Sequence, residues 1–502
     1  MTQVAAGQGE GLRFDRYMAG MDVMMWAVEQ DPRLKLGIVS VLLLDRPVDP
    51  ARFRAAVART VAAGPRMRQV IVRSTLSTAP PRFVEDPDFD LDYHTPVIAA
   101  PGEGTLDDVL RLAEHFGSVS FDYRRPLWEF CLVTGLQGGG CAVLQKVHHV
   151  LTDGVGGLQF IVGPLLSATR RESPAGRAAG VNGPAGVNGQ AGVNGQARSA
   201  GPAGAKAVSA LPSQATLLRD AQLAEARSAL GAAGALARAA GSMLSDPVGS
   251  IRSATSGATS LARYLMPAGG PLSPVMTGRS RAVHFDTLTV PLGDLKNASH
   301  AAGGKLNDGL IAAVAAALAG YHEQHDRPVR ALRMYMPVNL RAAGAPGRMG
   351  NEFSQALVNV PMHIGEPGER IRRIRELSAD AQRDPALRLF SPVAEIAGRL
   401  PAALVAPLFM KRLCDADFVL SNVPGPVTAL YLCGAKVTHF YAFGPLGAGA
   451  MNVTAVSYHG QYEIGLATDP AAVPDPDVML ACLKAGLAEV GELGRAAHAN
   501  DR

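Results

Sequence analysis

Seven consecutive residues carry the most chemistry in this 502-residue chain: His148-His149-Val150-Leu151-Thr152-Asp153-Gly154. With 12 His, 55 Gly and at most 44 Asp to place, an HHxxxDG pattern arises by chance in roughly three of a thousand such chains. The run follows a strand-like apolar stretch, Cys141 to Val147, and precedes a helical one, Gly156 to Ala168, so it reads as an active-site loop. A histidine at a strand end can face a cleft, and its ordinary pKa of about 6.5 suits it to take a proton from a hydroxyl near neutral pH. His149 is the candidate base. Neighbouring residues of an extended strand point to opposite sides, so His148 is assigned a structural hydrogen-bonding role. Asp153, just ahead of the helical run, can accept backbone N–H bonds or pair with an arginine and so scaffold the loop. Gly154 supplies a backbone conformation or a close approach that a Cβ would forbid.

The histidine pair also fits core histidines with satisfied hydrogen bonds, and without Asp153 and Gly154 that reading is the better one. A zinc site would need a third ligand at local spacing, and neither HExxH nor CxxC accompanies the pair. No G-x-S-x-G elbow is present to seat a serine nucleophile, and no glycine-rich turn joins strand to helix at the spacing of a phosphate cradle. The chemistry indicated is proton abstraction by a histidine, with no metal, no cofactor and no redox step.

The elements that must position these residues need a large core, and a chain with 47% hydrophobic and 18% charged residues can bury one. Lys+Arg 48 against Asp+Glu 44 leaves +4, too small a charge on this length to argue for a nucleic-acid binder. Five scattered cysteines without a CxxC pair disfavour a disulfide framework and fit a reducing cytosol. The first residues lack a basic start followed by an apolar run and a small-residue cleavage site, so no secretory signal is expected. No apolar stretch approaches the roughly 18 residues of a spanning helix. The expectation is a cytoplasmic protein whose membrane contacts are peripheral.

Along the chain, Gly, Ala, Pro, Asn and Ser replace periodic apolar residues from about Glu172 to Ala205, where the hexads VNGPAG, VNGQAG and VNGQAR run from Val181 to Arg198. This reads as a flexible tether. Ala205 to Met266 is Ala- and Leu-rich and predicts two or three crossover helices. Before the tether, Gly37 to Leu44 and Cys141 to Val147 predict strands and Asp49 to Ala63 a helix. After it, strands are predicted at Ala282 to Val290, Leu332 to Met336, Ser354 to Val360, Met451 to Tyr458 and Tyr462 to Thr468, with a turn at His459-Gly460. Helices are predicted from Asn307 to Tyr321 and from Asp477 to about Ala497. The expected organisation is mixed α/β: an N-terminal domain over 1–170, a linker over 171–205, a helical crossover over 206–280 and a C-terminal domain over 281–502.

These residues resemble the HHxxxDG acyltransferases. Within them the chain is similar to the bacterial wax ester synthase/acyl-CoA:diacylglycerol acyltransferase family, because further stretches match in the family's order. They are Arg125-Pro126-Leu127-Trp128, Asn307-Asp308, Pro337-Val338-Asn339-Leu340-Arg341, Gly350-Asn351 and Ser421-Asn422-Val423-Pro424-Gly425-Pro426. The likeness runs from about Asp22 to Asp477; Gly309-Leu310 after the Asn-Asp pair and the repeat-bearing linker depart from the pattern. It implies two chloramphenicol-acetyltransferase-like domains with a tunnel between them, entered by acyl-CoA from one side and by a hydroxyl acceptor from the other. It further implies direct transfer, with His149 taking the acceptor proton and CoA leaving as the thiol; acyl-CoA is a substrate and not a cofactor. Diacylglycerol is the implied acceptor, giving triacylglycerol, with fatty alcohols and wax esters as a second activity, at the inner membrane face or a lipid-body surface. Another lipid or polyketide hydroxyl, or a non-catalytic lipid-body or acyl-CoA-binding role, stand as alternatives, although a binder has no need of the base. The resemblance places Asn307 near the tetrahedral oxyanion; by residue type it is equally an N-cap for the helix that follows. Pro126, Leu127 and Trp128 are expected to pack near the active-site strand. Ser421 and Asn422, opening a run with two prolines and a glycine, are expected in a rigid supporting turn that the resemblance puts by the CoA side.

Overall fold

The computed structural model describes residues 13–14, 16–29, 31, 34–74, 79–151, 165–167, 210–223, 225, 245, 259, 269–339, 348–349, 353–387, 393–394, 397, 410 and 413–500. Two six-stranded sheets organise them. In the first, the strands run in the order Tyr431–Leu432, Ala435–Phe443, Gly37–Leu44, Cys141–His148, Trp128–Thr134 and Val97–Ala99. In the second, the order is Phe353–Pro361, Ala331–Asn339, Phe418–Val423, Met451–Tyr458, Gln461–Thr468 and His284–Pro291.

The central strands Cys141–His148, Met451–Tyr458 and Gln461–Thr468 are buried along nearly their whole length, as strands covered on both sides are. Gly37–Leu44 (GIVSVLLL) pairs antiparallel with the active-site strand, Gly37 opposite His148 and Leu44 opposite Cys141. The covering helices carry the start signals their sequences announce. Asp49 accepts the Arg52 N–H ahead of helix Pro50–Ala63, and Thr105 and Asp108 form a reciprocal capping box for helix Leu106–Ser118. On the second sheet, helix Leu306–Gln324 is buried along most of its length beside helix Pro476–Asn500. Its alanines permit a near approach: a Cβ on Gly486 would stand 2.3 Å from the Ala313 carbonyl oxygen. The turn between Met451–Tyr458 and Gln461–Thr468 has His459 at φ 47° and Gly460 at φ 83°, the left-handed pair of a tight hairpin.

From within the stretch 281–502, strands Tyr431–Leu432 and Ala435–Phe443 cross over and complete the first sheet. The physical reason is burial: Val437, Phe440 and Leu432 pack with Leu42, Trp128 and Phe130 of the first core. The two sheets then meet along a shared apolar seam, in which the Phe285 and Phe443 rings stack 4.0 Å apart. The linker over 171–205 and most of the crossover lie outside the described residues. A helical stretch at 214–223 docks on the first unit, where Asp220 pairs with Arg16 at 2.8 Å and with Arg82.

Candidate active site

His148 ends its strand and His149 opens the short 3-10 turn His149–Leu151. The His148 imidazole is fully buried, and both of its nitrogens are engaged. The Val150 N–H donates to Nδ1 at 3.1 Å, which leaves the ring proton on Nε2, where it donates to the Glu29 carboxylate. Glu29 closes helix Gly20–Val28, and its other oxygen accepts the Leu36 N–H at 3.1 Å. The Leu36 carbonyl in turn accepts the His149 N–H at 3.0 Å. Two chains of hydrogen bonds thus start at Glu29 and converge on the turn that carries His149, one through His148 and Val150, the other through Leu36.

Burial works to raise the Glu29 pKa, but the His148 hydrogen bond, with help from the Leu36 N–H and Tyr123, holds the carboxyl below its usual value of 4.5. Around His148 stand the rings of Phe121, Trp26 and Tyr123, with centroids at 5.7, 5.9 and 6.4 Å. Two positions back on the same face of the strand, Lys146 is 1% exposed, 3.6 Å from Glu129 and 4.3 Å from the Phe121 ring centroid. Burial holds its ammonium below the usual lysine range. His149 itself is half-buried, unlike the enclosed His148. Asp153 and Gly154, and the helical run expected after them, lie outside the described residues apart from 165–167, where Ser167 bridges to Tyr431.

Trp128 and Leu127 sit under this site. The His148 N–H donates to the Leu127 carbonyl at 3.0 Å, and the Trp128 indole N–H donates to the Met67 carbonyl at 2.8 Å while its ring stacks on His94. Pro126 precedes them, its carbonyl accepting the Trp128 N–H. Asn307 and Ser421 belong to the second sheet's unit. Asn307 is not an N-cap: Lys305 holds that position, and Asp308 reaches back to accept the Lys305 N–H at 2.8 Å, which starts the helix a residue before Asn307. The Asn307 Nδ2 reaches the Met336 thioether at 3.8 Å. Ser421 and Asn422 are not in a turn either; they continue strand Phe418–Val423, opposite Thr454 and Ala455, and the bend comes later, at Val427 and Thr428.

Residue spacing gave no hint of Glu29, Tyr123 or Lys146. The signal available was a carboxylate directly after the apolar run Val23 to Val28, and a lysine inside an apolar strand two positions before His148. A cavity of about 290 Å³ opens at the seam of the sheets, walled by Leu34, Lys35, Gly37 and Val39, by Arg279 to Val283 with Phe285, and by 443–449.

Residues 18–310 match the wax ester synthase/diacylglycerol acyltransferase catalytic domain and residues 349–491 the C-terminal domain of the same family. A putative diacylglycerol O-acyltransferase of Mycobacterium tuberculosis is 32% identical over 486 residues, covering 97% of this chain and 94% of the relative. The chain belongs to this family and is an acyltransferase. Its fold is similar to that of the wax ester synthase/diacylglycerol acyltransferase from Marinobacter aquaeolei VT8, with a TM-score of 0.61 at 22% identity, covering 95% of this chain and 99% of that one. It is also similar to the first condensation domain of the calcium-dependent antibiotic synthetase, with a TM-score of 0.57 at 15% identity and 96% of each chain covered.

Proposed function

We propose that the protein transfers a long-chain acyl group from acyl-CoA to the free hydroxyl of diacylglycerol, with His149 as general base. The observation that carries this reading is the double clamp from Glu29, which fixes the backbone on both sides of a half-buried imidazole at a strand end. Such a base acts by position: it accepts the acceptor's O–H proton as the oxygen attacks the thioester carbonyl, and it returns that proton to the CoA sulfur when the C–S bond breaks. Asn307 suits the oxyanion, since among the described residues its Nδ2 meets a thioether, a weak acceptor, and one such donor contributes about 3 kcal/mol to the barrier. Asp153 and Gly154 complete the loop in this reading. Proton transfer suffices, so no cofactor or metal is called on. Among the described residues no helix is long and apolar enough to cross a membrane. In this reading the acceptor lipid is met at a membrane or lipid-body surface, on the inner face where acyl-CoA is found.

The test is thiol release from palmitoyl-CoA by the purified protein with diacylglycerol, monoacylglycerol or hexadecanol. Diacylglycerol is expected to support the fastest release, and His149→Ala to lower turnover by at least about 10²-fold at an unchanged melting temperature. Turnover retained in a folded His149→Ala protein would remove the mechanism, and a preference for hexadecanol would make wax esters the main product.

A further inference from the structure

We infer that Lys35 and Arg281 form an anion-recognition pair at the seam cavity and hold the phosphate groups of the acyl donor's carrier. The inference rests on the acyl-CoA reading above and assigns part of the substrate to a place in the fold. Five charged side chains line the cavity: Lys35, Arg279, Arg281, Asp31 and Asp469. Two are committed to the framework. Asp469 accepts the Ser280 N–H at 2.6 Å, the Ser280 hydroxyl at 2.7 Å and the Ala471 N–H at 2.9 Å. Arg279 is pinned edge-on by the carbonyls of Ala448, Met276 and Gly278 at 2.6–2.9 Å, with the Asp469 charge nearby.

Lys35 and Arg281 are different. Among the described residues neither is ion-paired with a carboxylate. The Lys35 ammonium donates to the Ser118 carbonyl, which closes helix Leu106–Ser118, so the negative end of that helix orients it while two of its three N–H donors are left over. Arg281 is exposed. Burial and the Arg281 charge together push the Lys35 pKa down, against a smaller opposite effect of Glu29. Two cations that repel one another across a cavity rim are stabilised by an anion between them, and a phosphate offers several acceptors to a guanidinium fork and a point charge at once.

The location favours the reacting donor over any other phosphate. Leu34, Lys35 and Gly37 wall the cavity, and Leu36 between them accepts the His149 N–H. An anion held by Lys35 therefore lies against the segment that fixes the base. The rest of the wall is small or apolar, including Val283, Phe285 and the 444–449 stretch Gly-Pro-Leu-Gly-Ala-Gly, which suits the aliphatic arm of a CoA thioester.

The experiment compares two donors that differ in the phosphates: palmitoyl-CoA and the palmitoyl thioester of N-acetylcysteamine, with diacylglycerol in detergent micelles. Lys35→Gln and Arg281→Gln are each expected to raise KM for palmitoyl-CoA about tenfold, the effect of one charge-assisted hydrogen bond, and to leave KM for the truncated donor where it was. Equal shifts on both donors, or no shift on either, would overturn the assignment. Calorimetric titration of the full chain with CoA alone is expected to show the same weakening. This arm is independent of turnover: if the wild type binds CoA through these residues yet releases no thiol, the acyl-transfer reading fails and the anion site stands. If the variants instead lose binding to phosphatidylglycerol vesicles while KM for palmitoyl-CoA holds, the anion is a lipid headgroup and the donor assignment is wrong.

Discussion

Glu29 shows how one carboxylate can set the geometry of a residue it does not touch. Its two oxygens hold His148 and Leu36, and those two hold the backbone at Val150 and His149. Glu29→Gln keeps the shape and removes the charge. Because the site is buried, losing a charge-assisted hydrogen bond there is expected to cost about 1.5–3 kcal/mol in urea unfolding near neutral pH, with turnover reduced as well. The pH sign follows from the lowered pKa of Glu29. Stability from a carboxyl whose folded pKa lies below its ordinary 4.5 is present above that value and is lost as the pH falls through the folded pKa. The gap between wild type and Glu29→Gln should therefore narrow in acid, and a gap that widens would contradict the pairing. The histidine pair was legible in the sequence because its chemistry is local. Glu29 was not, since 119 positions separate it from His148 and nothing in local spacing marks a contact made only by folding.

At the scale of elements, apolar runs translate directly into strands. Gly37–Leu44 and Met451–Tyr458 have the bounds their composition predicts: GIVSVLLL is a nearly continuous apolar run, as a strand covered on both faces leaves, and MNVTAVSY runs up to the His459-Gly460 turn. Partner choice is another matter. Ala435–Phe443, where no strand is predicted, pairs with Gly37–Leu44 almost 400 positions earlier, a partner that no local pattern marks. That strand also brings the sheets close: a Cβ on Gly465 of strand Gln461–Thr468 would stand 2.2 Å from the Ala442 carbonyl oxygen. Backbone meets backbone there, so neither side can swing away. Gly465→Ala is expected to cost about 1–3 kcal/mol of stability and to lower turnover by shifting one sheet against the other. Gly460→Ala, at φ 83° in the hairpin with open space around it, should cost about 1 kcal/mol from backbone strain alone and leave turnover near wild type. Urea midpoints and thiol release on the two variants separate seam from turn; equal effects on turnover would mean that the seam does not position the site.

For the whole molecule, the question is what keeps the two units in register when the segment joining them is rich in Gly, Ala, Pro and Asn. Loop length alone has little influence, since halving or doubling a flexible loop shifts stability by only about 0.6 kcal/mol. Deleting Val181 to Arg198 is accordingly expected to leave the melting temperature and acyl transfer in detergent nearly unchanged, and a loss of turnover would make that segment part of the site. Register must then come from the seam, where His284 supplies a charged link beside the stacked phenylalanines. Its Nδ1 lies 2.9 Å from Glu114 of helix Leu106–Ser118 in the first unit, and its Nε2 lies 3.3 Å from Asp286 in its own strand. These hydrogen bonds, Asp286 first and Glu114 next, outweigh burial and raise the imidazole pKa from 6.5 to about 10. A raised pKa means that the folded state holds the proton more tightly than the unfolded chain does. The contribution is complete below about pH 6.5, declines as the pH rises, and is gone once the pH passes about 10. The ring is 34% exposed, so solvent screening limits the link to about 1 kcal/mol. His284→Gln should thus lower the melting temperature measurably at pH 6 and hardly at all at pH 10. A difference that stays constant across that range would show that the units are held together by apolar packing and strand pairing, with no contribution from the charge on His284.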